Sequence, residues 1–143
     1  MVNNIVIASD HAGYSLKEFI KKKLSDSYNI EDLGTNNTKS VDYPDYAIKL
    51  ANFISEHKDY RGILICGSGI GISIAANRYN HIRAALCHNN QTAKLSRIHN
   101  DANVVVLGAR IVSQEDALDL IKVFLSTGYE KGRHQARIDK LSI

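Results

Sequence analysis

The segment Cys66–Gly71 has the sequence CGSGIG and combines a thiol, a hydroxyl and three glycines. It follows an apolar run and precedes residues with helical spacing, so we expect a tight turn between a buried strand and a helix. Free amides at such a turn point towards an anion, and the positive end of a helix favours a thiolate. These properties suit Cys66 to act as a base or nucleophile, although a purely structural turn uses the same glycines. The dinucleotide-binding motif GxGxxG and the Walker A loop GxxxxGK(S/T) are both excluded, because each requires glycine at the position of Ile72.

Two further polar groups are candidates for binding. Asp10 and His11 directly follow the apolar run 5–8, and His99 and Asn100 belong to the polar cluster 96–101. An acid beside an imidazole can hydrogen-bond a sugar hydroxyl, and a protonated imidazole can help to hold a phosphate. Taken alone, the first pair is equally compatible with an ordinary surface pair.

Basic residues recur at helical spacing near the end of the chain. Arg133, Arg137 and Lys140 would share one face of a short helix, with His134 beside them. Such a face is usually solvated, but two arginines four residues apart also form a fork that fits a dianionic phosphate. Spacing alone favours the solvated face slightly over the phosphate fork.

Cys66 and Cys87 are the two cysteines, and no CxxC pair is present. Neither a disulfide framework nor a four-cysteine zinc site can be built from them, and the histidines show no metal-ligand spacing. We therefore expect two reduced thiols and no metal site. Cys87 is interpreted as a small buried apolar side chain.

Alternating strands and helices must position these residues. Short β-rich runs occur at 5–8, 28–30, 63–66, 82–86 and 104–107. Segments with helical spacing lie between them, at 16–24, at 47–54 behind Pro44, and at 117–125 behind a predicted capping box at Ser113, with an end at Gly128. A short final helix is predicted over about 132–141.

This order predicts an α/β fold with a parallel, doubly wound, Rossmann-like sheet of five strands. Helices should cover both faces, which gives three layers, and a C-terminal helix closes the chain. We expect residues 1–143 to form a single domain. Ligands of such folds bind beyond the carboxyl ends of the strands, where Asp10, Cys66 and Arg110 are predicted to lie.

Composition excludes several classes of function. With 143 residues and 44% of them hydrophobic, the chain suits one compact domain, and a net charge of +3 is weak for nucleic-acid binding. Membrane association is not expected, since no apolar run approaches the roughly 20 residues of a membrane span. The first residues lack the pattern of a secretory signal, so a cytoplasmic location is expected. No feature marks a flavin site.

Five segments in order resemble the type B ribose-5-phosphate isomerases, which share their fold with the subunits of galactose-6-phosphate isomerase. They lie at residues 8–13, 42–44, 66–71, 95–103 and 132–134. The resemblance implies a cofactor-free and metal-free interconversion of ribose 5-phosphate and ribulose 5-phosphate, an aldose–ketose isomerisation of the non-oxidative pentose phosphate pathway. Many members of this family have threonine at the position of Ser68, and serine keeps the hydroxyl.

The resemblance also implies a role for each site residue. Cys66 would shuttle a proton between C2 and C1 of the sugar, and His99 would open the furanose ring. The Ser68 hydroxyl and the loop amides would stabilise the enediolate, the loop residues being Gly67, Gly69, Ile70 and Gly71. Sugar hydroxyls would be held by Asp10, Tyr43 and Asn100. The phosphate would be surrounded by His11, Arg110, Arg133 and Arg137.

Topology separates two of these residues. His99 ends a helix that leads into the strand beginning near Asn103, so it should lie at the sheet edge opposite Cys66, roughly 16 Å away across a five-residue strand. We therefore predict a homodimer with active sites shared between subunits, in which His99 and the C-terminal arginines reach across a two-fold interface. The family resemblance implies the same dimer, sometimes doubled to a tetramer.

Two other functions stay open. The same chemistry on a hexose 6-phosphate, such as galactose or allose 6-phosphate, depends on the length of the pocket. A non-catalytic module that binds sugar phosphates is the alternative from a different class, because a fold does not determine a function.

Overall fold

Five parallel strands form the sheet of the computed structural model, which describes residues 2–142. Their order across the sheet is β2-β1-β3-β5-β4. The bounds are β1 (Asn4–Ser9), β2 (Asn29–Asp32), β3 (Tyr60–Cys66), β4 (Ala84–Leu86) and β5 (Val104–Gly108). The central strands β1, β3 and β5 are almost entirely buried, as their continuous apolar runs predict. The predicted five-stranded parallel sheet is confirmed.

Helices cover both faces of this sheet. They are α1 (Tyr14–Leu24), α2 (Tyr43–Glu56), α3 (Ile70–Ala76), α4 (Asn90–Asn100), α5 (Gln114–Ser126) and α6 (His134–Asp139). Helices α1, α4 and α5 pack on one face, and α2 and α3 pack on the other. Side chains alternate along each strand, so Ile5 and Ile7 enter the first core while Val6 and Ala8 enter the second. The three-layer, doubly wound architecture is therefore confirmed.

Three helix termini differ from the sequence expectation. The final helix is shorter than 132–141, because Gly132 has a φ of +59°, outside the helical range, and Arg133 is the N-cap. At α5, Ser113 accepts a hydrogen bond from the Asp116 amide, but the return bond of a full capping box is absent. An aspartate is one methylene shorter than the glutamate that normally makes it. The same helix ends at Ser126, ahead of Gly128.

The register of the strands aligns the segments that follow them. Ser9 pairs with Ile65, and Cys66 pairs with Gly108. Because all the strands are parallel, the residues after β1, β3 and β5 meet at one edge of the sheet. No helix within residues 2–142 combines the length and the apolar character needed to cross a bilayer.

A buried lysine ties α1 to this edge. Lys17 is fully buried, and its Nζ lies 2.6 Å from Asp32 Oδ2 and 2.9 Å from Glu18 Oε2. The other carboxylate oxygen of Asp32 accepts the amide of Gly34, whose carbonyl accepts the amide of Ser9. Burial raises the pKa of Asp32, but hydrogen bonds from Lys17, Lys21 and the Gly34 amide outweigh it, so the pKa is lowered overall. Asp32 therefore links α1, β2 and the end of β1.

We expect Asp32→Asn to lower the free energy of unfolding by about 3 kcal/mol at neutral pH, because it leaves a buried lysine without its main counterion. Folding lowers the pKa of Asp32, so its contribution is complete above the unfolded pKa of about 4 and is lost as the pH falls through the folded value. Urea denaturation of both proteins as a function of pH measures this effect.

Glu18→Gln is the matched control, since the Glu18 side chain is 42% exposed while that of Asp32 is 18% exposed. It should cost less than about 1 kcal/mol. Equal costs for the two variants at neutral pH would contradict the role assigned to Asp32.

Candidate active site

Backbone amides of the loop after β3 bind the Cys66 thiol and the Ser68 hydroxyl. The Gly69 amide donates a hydrogen bond to Cys66 Sγ at 3.2 Å, and the Ile70 amide donates to Ser68 Oγ at 3.1 Å. Cys66 is buried, while Ser68 is half-buried at the mouth of the loop. The strand thus ends in a thiol and a hydroxyl that are both fixed by the amides of the following turn.

Two glycines of this loop are required by space and backbone conformation. Gly69 has a φ of +80°, and a Cβ there would lie 2.5 Å from Leu86 Cδ1 and 2.9 Å from the carbonyl carbon of Leu107. A Cβ on Gly71 would lie 2.5 Å from the Tyr43 ring. Tyr43 therefore packs directly on the backbone of the loop, although it is 28 positions from Gly71 in the sequence.

Arg110 approaches the loop from the end of β5. A Cβ on Gly67 would lie 2.7 Å from Arg110 Nη1, so the guanidinium lies against this backbone. The Arg110 amide also donates to the Gly67 carbonyl at 2.9 Å, and the Ala109 amide donates to the Cys66 carbonyl at 2.9 Å. These bonds place a permanent positive charge beside the thiol loop.

Asp10 and His11 join the same edge from β1. Asp10 is buried, its amide donates to the Ile65 carbonyl at 3.2 Å, and its Oδ1 accepts the Gly13 amide at 3.1 Å. His11 Nδ1 accepts the Val41 amide at 3.1 Å. A neutral ring with an acceptor at Nδ1 carries its proton on Nε2, so His11 can donate to an anion without being charged.

The second group of predicted residues lies at the opposite edge. His99 and Asn100 end α4, and they line a cavity of about 410 Å³ together with residues of the C-terminal segment. The ring of His99 stacks on that of His134, with centroids 4.6 Å apart and an interplanar angle of 27°. Arg133 and Arg137 line the same cavity and are exposed.

The strand register shows why one chain keeps the two groups apart. The start of β5, Val104, pairs with Gly62, whereas Cys66 pairs with Gly108 at the end of β5. His99 lies just before the start of β5, so the length of a five-residue strand, about 16 Å, separates the two edges. The structure brings together Asp10, His11, Tyr43, Cys66, Gly67, Ser68, Gly69, Ile70, Gly71 and Arg110. It places His99, Asn100, Arg133 and Arg137 in a separate group.

The polar cluster 96–101 also contains a residue with a purely internal role. Arg97 is buried, and its guanidinium donates to Asp101 Oδ1, to the Ala102 carbonyl and to the Thr127 carbonyl. It anchors the end of α4, on which His99 lies. Within residues 2–142, no group of three or more histidine, cysteine, aspartate or glutamate side chains is arranged to hold a metal ion.

Sequence reasoning missed two contacts of the site. The Val41 amide, which orients His11, lies in a segment without periodicity or a polar motif, so no local signal marks it. His134 lies beside the arginines, and no motif connects it with His99, because the stacking of the two rings joins residues 35 positions apart. Both contacts depend on tertiary packing.

Comparison with known proteins identifies the family. The family model described as Ribose/Galactose Isomerase matches residues 5–141. The chain belongs to this family. A protein of Rickettsia conorii is 53% identical over 139 residues, which cover 96% of each chain. Ribose-5-phosphate isomerase B of Escherichia coli is 39% identical over 142 residues, covering 99% of this chain and 95% of the other.

Solved structures show the same relationship. A ribose 5-phosphate isomerase of Thermotoga maritima superposes with a TM-score of 0.96 at 48% identity and covers 99% of both chains. Ribose-5-phosphate isomerase B of Mycoplasma genitalium, solved with bound ribulose 5-phosphate, has a TM-score of 0.92 at 42% identity, with 96% and 93% of the two chains covered. The chain is a sugar-phosphate isomerase, and the family resemblance of its five segments is confirmed.

We expect Gly69→Ala to lower the free energy of unfolding by more than about 2 kcal/mol, because alanine is strained at positive φ and its Cβ would collide with β5. Denaturant unfolding measures the change. Gly128→Ala is the control, since nothing lies within 4 Å of its added Cβ; it should change stability by less than about 1 kcal/mol. A tolerated Gly69→Ala would contradict the packing described for this loop.

The two thiols should differ in reactivity. Burial raises the pKa of Cys87, which reduces its thiolate at neutral pH, whereas Cys66 is the last residue of β3, beside the exposed Ile70 and the half-buried Ser68. Alkylation of the native protein with iodoacetamide, followed by peptide mass spectrometry, should modify Cys66 before Cys87. If Cys87 is modified before Cys66, the prediction that Cys66 is the more reactive thiol is wrong.

Proposed function

We propose that this enzyme interconverts D-ribose 5-phosphate and D-ribulose 5-phosphate through an enediolate, as a step of the non-oxidative pentose phosphate pathway. The observation that carries the proposal is the Cys66 thiol in the CGSGIG loop, with the Gly69 amide 3.2 Å from Sγ and the Arg110 guanidinium against Gly67. The match to the Mycoplasma genitalium enzyme with bound ribulose 5-phosphate supports a pentose phosphate as the substrate.

The chemistry needs one base and a site for negative charge. The Cys66 thiolate removes the proton from C2 of the open-chain aldose, and the electrons of that bond form the C1–C2 double bond while the C1 oxygen becomes negative. Amides of the loop and the Ser68 hydroxyl stabilise this charge. The thiol then returns the proton to C1, and the proton of the C2 hydroxyl moves to the C1 oxygen, so that C2 becomes the ketone and C1 carries the hydroxyl. No electrons leave the sugar, so the step requires no external oxidant or reductant.

Binding groups surround this centre. Asp10, whose Oδ1 accepts the Gly13 amide, and Tyr43 hold sugar hydroxyls, and Asn100 of the second group holds another. The phosphate is bound by His11 through its Nε2–H and by Arg110. The arginines of the second group complete the phosphate site. Holding the phosphate fixes C1 and C2 relative to the thiol.

In this proposal the second group comes from another copy of the chain. His99 opens the furanose ring in this scheme, yet its own chain places it a strand length away from Cys66. A two-fold homodimer solves this, since each copy lends His99, Arg133 and Arg137 to the Cys66 loop of the other. Ile70 and Ile74 lie beside that loop on α3 and are each more than half exposed, which offers an apolar surface for the contact. Pairing of such dimers into a tetramer is compatible with the same site.

The chain is proposed to work as a single domain of residues 1–143 in the cytoplasm, where its two free thiols stay reduced. A hexose 6-phosphate, such as galactose or allose 6-phosphate, is the second candidate substrate, because the matching family model covers both ribose and galactose isomerases.

The purified enzyme should convert ribose 5-phosphate to ribulose 5-phosphate in the presence of a chelator and prefer it to both hexose phosphates. Cys66→Ala should lower kcat by at least about a hundredfold, because it removes the acid–base group. Cys87→Ala is the matched control and should keep the activity. If only a hexose phosphate is turned over, the proposed pentose substrate is wrong and the hexose phosphate takes its place. If no sugar phosphate is turned over, the proposal is overturned.

The shared site is tested by mixing two inactive proteins, Cys66→Ala and His99→Asn. After subunit exchange, each hybrid dimer holds one intact site, so a 1:1 mixture should regain about a quarter of the wild-type sites. Recovery should follow the kinetics of exchange. Exchange without recovered activity would refute a site built from two subunits.

A further inference from the structure

The side chain packed behind His99, that of His134, has no role in the mechanism proposed above. His134 is 6% exposed, and its ring stacks on that of His99 with centroids 4.6 Å apart. His99 is half-buried and faces the cavity that the two arginines line. Both rings line this cavity, but His134 is buried while His99 is half-buried, so His99 is the ring better placed to reach a ligand.

The polar atoms of His134 do not explain its presence. Its Nε2 is buried and has no hydrogen-bond partner among residues 2–142, and the nearest carboxylate oxygen, Glu130 Oε1, is 3.6 Å away. A buried nitrogen without a hydrogen bond is unfavourable for folding. A leucine or phenylalanine would fill this position without that cost. The interaction that the ring does make is the face-to-face contact with His99.

The surrounding backbone holds the two rings in register. The Glu130 amide donates to the Ile98 carbonyl at 3.2 Å, which joins the C-terminal segment to α4 one residue before His99. Arg97, also on this last turn, is fixed by Asp101 at 2.8 Å. The backbone of His99 is thus anchored from both sides, and its side-chain torsions remain the degrees of freedom that stacking can restrict.

We propose that His134 is a positioning residue for ring opening. Its ring packs on one face of the His99 ring. This contact keeps the exposed edge of His99 directed at the furanose oxygen of a substrate bound by the partner copy. This inference rests on the function proposed above for His99. It adds that the orientation of His99 is set by a second histidine that does not touch the substrate.

The two substrates of the reaction separate ring opening from proton transfer. Ribose 5-phosphate is a furanose in solution and must be opened. Ribulose 5-phosphate is acyclic, because the phosphate blocks its C5 oxygen from closing on C2. In the ketose-to-aldose direction, the open-chain aldose can leave the enzyme and close in solution. A defect confined to ring opening therefore slows the aldose direction more than the ketose direction.

The test compares His134→Leu with His134→Phe, two apolar variants of similar bulk that differ in whether a flat ring remains. We expect His134→Leu to lower kcat for ribose 5-phosphate about tenfold or more while KM changes less than about threefold, since orientation and not binding is lost. Turnover of ribulose 5-phosphate should fall less. His134→Phe keeps the stacked face and should restore kcat to within about threefold of wild type.

His57→Leu is the matched control, because it removes a histidine that stacks on Phe53 at 4.0 Å and belongs to neither group of site residues. Both directions should be unchanged in it. Equal losses in the two directions for His134→Leu, or equal losses for His134→Leu and His134→Phe, would overturn the positioning role.

His99→Asn separates a failure of this inference from a failure of the proposed function. If His99→Asn abolishes turnover of ribose 5-phosphate while His134→Leu has no effect, the positioning role alone is wrong. If His99→Asn leaves that turnover intact, ring opening by His99 is wrong and the role of His134 falls with it.

Discussion

The common direction of the five strands is the constraint on which this site depends. In a parallel sheet every carboxyl end lies at one edge, so the segments after β1, β3 and β5 converge there and supply Asp10, the Cys66 loop and Arg110. The same direction forces residues that precede a strand to the opposite edge. His99, just before β5, therefore cannot join Cys66 within one chain, and the proposed homodimer is a consequence of sheet topology.

Close packing fixes the positions of the residues at the carboxyl edge of the sheet. The loop backbone passes so near Tyr43, Arg110 and β5 that a single added carbon would collide with each of them. This leaves the Cys66 thiol and the Ser68 hydroxyl, which the loop amides bind, little freedom to move relative to β5. The buried Lys17–Asp32 pair extends the same rigidity to the end of β1 through the Gly34 and Ser9 backbone. Rigid placement of this kind is what a proton shuttle between adjacent carbons requires.

The opposite edge is organised differently. There Arg133 and Arg137 are exposed, and the buried partner of the candidate ring-opening residue is another imidazole instead of a carboxylate. In the proposed homodimer this surface would receive the substrate of the second copy, and its solvated arginines would bind the phosphate. In the proposed scheme the chemistry is divided between the edges. The Cys66 edge supplies the proton shuttle with His11 and Arg110 for the phosphate, and the opposite edge supplies His99 for ring opening with Arg133 and Arg137 for the phosphate.

Local patterns in the sequence determined the number and type of elements, both core faces and the turn at CGSGIG, because burial imposes periods of 2 and 3.6 that residue types reveal directly. They also separated His99 from Cys66, since this follows from the order of helix and strand. Only the tertiary structure decided which distant residues meet: the Val41 amide with the His11 ring, Tyr43 with the Gly71 backbone, Arg110 with the Gly67 backbone, and His134 with His99. These contacts depend on β5 lying between β3 and β4 and on how loops pack across the sheet edges, and such long-range pairing leaves no periodic trace in the chain.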